Sequence, residues 1–174
     1  MGVPTLVFLR EVEQATQRLA PLFGLSSCNP PEIRTYLLDY EHPTHPRHWP
    51  GFSPIYKFVY FPPWERTAWA EHGGYSRDCF QHEVAHYIHD LVNPDLQAAA
   101  FEWESNKKVP PGMRGLREVV AEYPNFILGD TGPGGWVAPY MPSAFAMFGS
   151  DALPKLARMN LEEAVTMYPY FLNI

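Results

Sequence analysis

Cysteine is scarce in this 174-residue chain: Cys28 and Cys79 are its two copies, far apart and in no CxxC pairing. This argues against a disulfide framework or a cysteine-knuckle metal site, and both are read as reduced thiols. Positive charge is scarce too, with 13 Lys and Arg against 19 Asp and Glu, a net of −6, and the basic residues are scattered. The balance argues against a nucleic-acid groove or a patch for anionic membranes. No apolar run approaches membrane-spanning length, and the run over residues 5–9 is cut by Arg10 and Glu11 before it forms an export signal. The expectation is a soluble monomer, cytoplasmic by default. Internal repeats and interdomain linkers are also missing, so residues 1–174 are read as one domain.

Proline and aromatic residues are plentiful, at 19 prolines and 15% aromatics. Proline pairs at 30–31, 62–63 and 110–111 mark element boundaries. Leu6, Leu9, Val12, Thr16 and Leu19 recur at helical spacing behind Thr5 and ahead of Gly24, predicting an amphipathic helix over residues 6–20. Residues 33–40 and 55–61 read as strands, and residues 68–71 as a short third one. The stretch 41–54, with His42, His45, His48 and four prolines, reads as a loop that fixes no ligand directions. A helix is expected from Ser76 to Asn93, its apolar positions being Phe80, Val84, Tyr87, Ile88 and Leu91. Further helices are expected from Pro94 to about Ser105, from Leu116 to a disturbance at Pro124, and beyond a capping box of Asn160 and Glu163. The glycine-rich residues 129–135 lack the context of a phosphate-binding loop and read as a plain loop.

The chemistry concentrates in His82-Glu83-Val84-Ala85-His86, an HExxH sequence inside the Ser76 helix. Four-residue spacing sets both imidazoles on one helix face, one turn apart, where both reach a single Zn²⁺. Glu83 then lies beside the metal, placed as general base toward a water whose pKa the ion lowers. A hydrolytic zinc takes three protein ligands and keeps a fourth position open, so a third ligand is required. His89 is on the same face, but a straight helix sets three consecutive turns in a row rather than in a tetrahedral fan. It therefore reads as a supporting or solvent-facing residue. The chain does not continue as HExxHxxGxxH. Glutamates remain: Glu102, Glu104, Glu118 and Glu122. Glu118 and Glu122 share one helix face at i and i+4, where one can bind zinc while the other holds a ligand histidine by its free N–H.

HEVAH followed by a helix bearing Glu118-x-x-Ala121-Glu122-Tyr123 resembles the gluzincin metallopeptidases. Within them it looks most like the minimal gluzincins and the anthrax lethal factor catalytic domain with its relatives, including Pro-Pro endopeptidases. His82 to Asp90 also matches that group's HExxHxxxD run. The resemblance implies an α+β, zincin-like fold, with a small mixed sheet packed on the HExxH helix and a mostly helical C-terminal half. It implies one Zn²⁺ on His82, His86 and Glu118, Glu83 as catalytic base, Glu122 as the carboxylate behind a ligand, and a peptide or protein substrate. The strand over residues 55–61 would supply the edge that pairs with an extended peptide. One departure is that residues 110–117 hold no tyrosine to stabilise the oxyanion, leaving Tyr123, Tyr140 and Tyr75 as candidates. Two other readings use the same residues: a non-catalytic binding domain, and a zinc amide hydrolase of the deformylase kind, for which neither Cys28 nor Cys79 has the right setting.

Overall fold

A computed structural model describes residues 6–35, 51–53, 56–61, 76–95, 111–130, 146–160, 162, 163 and 166. Helix α1 (Leu6–Leu19) ends in a 3-10 turn, Ala20–Phe23, closed by Gly24. Gly24 is left-handed at φ 80°, and the amides of Gly24 and Leu25 donate to the Pro21 and Ala20 carbonyls, a glycine stop of the expected kind. Val12, Ala15, Thr16 and Leu19 are buried on α1, whereas Leu6, at the head of the predicted stripe, is 71% exposed.

Strands β1 (Glu32–Thr35), β2 (Gly51–Ser53) and β3 (Phe58–Phe61) form one mixed sheet in the order β1-β3-β2. β1 runs parallel to β3 and β2 antiparallel to it. β3 is therefore central and has no free edge, which overturns the expectation that this strand offers its edge to a peptide. It is also shorter than predicted, because Tyr56 and Lys57 form a turn. In that turn Lys57 adopts a left-handed φ of 57°, its amide donates to the Ser53 carbonyl at 2.8 Å, and the Tyr56 amide donates to Ser53 Oγ. β2 corrects the loop reading of residues 51–53. Its Gly51 pairs with Tyr60, whose ring occupies the space where a Cβ would stand.

Helix α2 (Ser76–Val92) is the centre of the molecule, packing against α1, the next helix and strands β2 and β3. Phe80, Val84, Ala85 and Ile88 are buried as the spacing predicts, each large one contributing about 1.5–3 kcal/mol, whereas Leu91 is 49% exposed near the helix end. Neighbours on several sides also bury Gln81, His86, His89 and Asp90. Helix α3 (Pro111–Leu128) starts earlier than expected and runs on through Pro124. It ends at Gly129, φ 73°, with the amides of Gly129 and Asp130 on the Phe126 and Asn125 carbonyls. Helix α4 (Leu153–Ala157), entered through a 3-10 turn at Ser150–Ala152, was not foreseen.

One apolar core joins Val12, Leu19 and Phe23 to Ile33, Val59, Phe80, Val84, Ile88, Val119, Val120, Tyr123, Leu153 and Leu156. Asn160 and Glu163 exchange reciprocal hydrogen bonds of 2.9 Å, the predicted capping box. Pro94 and Asp95 are helical, as the N1 proline predicts. The strand at 68–71, most of the loop at 41–54 with its three histidines, the rest of the helix after Asp95, and the glycine-rich segment beyond Asp130 lie outside the described residues. No helix among the described residues is long and apolar enough to cross a membrane.

Candidate metal centre

The packing of α2 on α3 brings together His82, His86 and Glu118, each with one ligand atom within 4.8 Å of the others. His82 Nε2 lies 3.1 Å from Glu118 Oε2, and His86 Nε2 lies 3.6 Å from Glu118 Oε1. Tetrahedral bonds of about 2.0–2.1 Å set neighbouring donor atoms about 3.3 Å apart. Each imidazole nitrogen lies near that distance from one oxygen of Glu118, and the three donors converge closely enough to face a single small cation. Two imidazole nitrogens and one carboxylate are also a donor set that suits zinc. The imidazole rings stand nearly perpendicular, at 83°, with centroids 4.8 Å apart.

Glu122, one turn beyond Glu118, accepts a 2.8 Å hydrogen bond from His82 Nδ1. A ligand histidine needs such an acceptor behind it to fix its tautomer and ring orientation. Burial opposes the charged form of His82, but Glu118 and Glu122 on its two nitrogens, with the field of Glu83, hold its pKa well above the usual histidine range. Burial likewise opposes ionisation of Glu118, yet the imidazoles of His86 and His82 hold its carboxyl well below the usual range. Glu83 is beside His82 on α2 and partly exposed.

Other candidates sort clearly. His89 is fully buried, so a solvent-facing role is overturned, and it lies outside the three-donor group. Burial, with the charges of His86 and Arg117, lowers its pKa to about 3, although the Ala157 carbonyl beside it pulls the other way. Tyr123 is no oxyanion donor: its ring is buried and its hydroxyl donates to the Gly149 carbonyl at 2.9 Å, with burial pushing its pKa up to about 12. Cys28 is a free thiol outside the group, its pKa raised by burial. Tyr75, Tyr140, Glu102, Glu104 and the Cys79 side chain lie outside the described residues.

Two features gain their partners only in the structure. Asp90 is buried at 3% exposure and forms an ion pair with Lys57 of the β2–β3 turn. Gln81 is buried beside His82, where its side chain accepts from Arg18 Nε at 3.1 Å and donates to Asn125 Oδ1 at 2.7 Å and Asp130 Oδ2 at 3.3 Å. Asp90 carried a faint signal, since it falls one turn after His86. Gln81 carried none. No protein-family model, curated protein or solved structure matches this chain.

Proposed function

We propose that this protein is a zinc-dependent endopeptidase of the gluzincin type, with a zincin-like arrangement of sheet and motif helix. The carrying observation is the convergence of His82, His86 and Glu118, with one ligand atom of each within 4.8 Å of the others, and of Glu122 behind His82. In this reading the three residues hold one Zn²⁺. Held there, the ion would supply a lowered water pKa and polarisation of the scissile carbonyl. Glu83 takes the proton of the attacking water and delivers it to the leaving amine. Glu122 keeps the proton on His82 Nδ1, so that Nε2 presents its lone pair to the site. With β3 paired on both sides, the strand for an extended peptide is β2, which is an edge strand among the described residues and packs on α2.

The test is zinc content per chain by plasma mass spectrometry, joined to a peptide-library cleavage assay. Wild type is expected to carry one zinc per chain and cleave peptides. Glu118→Ala is expected to lose most of its zinc, and Glu83→Gln to keep its zinc while losing at least a hundredfold in cleavage, about the contribution of a general base. A wild-type chain that takes up no zinc on reconstitution overturns the reading. A zinc-loaded chain equally active with Glu83→Gln overturns the catalytic part of it.

A further inference from the structure

The two histidines of the site are supported unequally. His82 Nδ1 has Glu122, whereas His86 Nδ1 is buried with no hydrogen-bond partner. On the same helix, Oδ1 of Asp90 and the ring nitrogens of His89 are buried too with no partner at good hydrogen-bond geometry, the Ala157 carbonyl lying beside His89. These belong to positions i, i+3 and i+4 of one helix, so His89 and Asp90 flank His86 one turn further on. His86, His89 and Asp90 are 7%, 0% and 3% exposed. A buried polar group is costly to leave without a partner, and several on adjacent turns of one helix call for a polar partner they can share.

The donor and acceptor count identifies that partner. His86, when Nε2 faces an ion, carries its proton on Nδ1 and needs an acceptor. Asp90 Oδ1 offers an acceptor, and its other oxygen is already held by Lys57. One water closes the set by accepting from His86 Nδ1–H, donating to Asp90 Oδ1 and bonding one His89 nitrogen, within the two to four bonds usual for buried water. The remaining His89 nitrogen has the Ala157 carbonyl beside it.

We propose that Asp90, fixed by Lys57, acts through one buried water shared with His89 as the positioning carboxylate of His86, the counterpart of Glu122 at His82. This rests on the metal reading above. The Lys57 turn then serves the site as well as the sheet, because its left-handed backbone, uncommon for a side chain of this kind, aims the ammonium group at the motif helix.

The test is the zinc dissociation constant, measured by competition with a chromogenic chelator at fixed pH, for wild type, Glu122→Gln, Asp90→Asn, Lys57→Met and Lys57→Arg. Far-UV circular dichroism confirms the folded fraction of each. Asp90→Asn is expected to weaken zinc binding about ten- to hundredfold, the range for losing an outer partner of a ligand, as is Glu122→Gln. Lys57→Met is expected to weaken it several-fold and Lys57→Arg to restore it. A merely structural ion pair would lower the melting temperature and leave the zinc constant unchanged, and that result overturns the proposal while the metal reading stands. Where Asp90→Asn does not fold, Lys57→Met decides, because Lys57 is half-exposed and outside the core. No zinc binding by wild type overturns both.

Discussion

His82 meets a carboxylate on each of its nitrogens, and His89, seven residues on, meets none. Their environments push the two pKa values apart, so they act on stability in different pH windows. The folded-state pKa of His89 is about 3 against an ordinary 6.5, so between those values the unfolded chain binds more protons. Its contribution is complete above pH 6.5 and is lost as pH falls toward 3. His82 has the opposite sign in the metal-free chain, its contribution being present below its ordinary pKa and lost as pH rises through the folded one. We expect the urea midpoint of the metal-free protein to fall on acidification below pH 6.5, and to fall less steeply in a His89→Leu variant. Parallel pH profiles for the two proteins would refute this assignment. Sequence alone shows the four residues of the trio and its support, because two i, i+4 pairs on helices are periodic features. It does not show the burial of His89, which depends on α3 and α4 arriving from elsewhere in the chain.

Among the elements, α2 was legible to its ends because cap, periodicity and the Asn93-Pro94 stop agree. β2 was not, since three residues between prolines have no period to read. It exists by pairing with β3 and by the fit of Gly51 under Tyr60. Tyr60 is 5% exposed, so its ring has little room to give way. Gly51→Ala is expected to cost about 1–3 kcal/mol in urea denaturation, the range for overpacking a filled site. A neutral result would show that the ring yields. Helix α3 was misjudged for a related reason. Pro124 costs a free helix about 3 kcal/mol, but here the flanking Tyr123 and Asn125 are buried and hydrogen-bonded across to Gly149 and Gln81. Packing prevails over propensity.

Across the whole molecule, polar ties hold the helices together where the apolar core ends. Arg18, Gln81, Asn125 and Asp130 join α1, α2 and the end of α3. Asn93 donates to the carbonyls of Ala157 and Met159, joining the end of α2 to α4, and Arg158 donates to the Phe23 carbonyl. Gln81 has the most to lose, because its side chain meets three others inside the protein. Gln81→Leu is expected to lower the melting temperature by about 3–10 °C, the equivalent of losing its three side-chain hydrogen bonds inside the protein. Calorimetry showing no change would make the network incidental.

The amide pair of Gln81 and Asn125 has a meaning beyond stability. His82 and His86 are one turn apart, and so are Glu118 and Glu122, so the two helices are marked like rulers of equal pitch. A slide of α3 by one turn, about 5.4 Å, would offer a different carboxylate to the same imidazole, and the charged residues alone would not forbid it. Gln81 stands next to the first mark on one ruler, and Asn125 lies three residues past the last mark on the other. Their hydrogen bond ties the two helices in the register that sets Glu118 at His82 Nε2, alongside the apolar packing of Val119, Val120 and Tyr123.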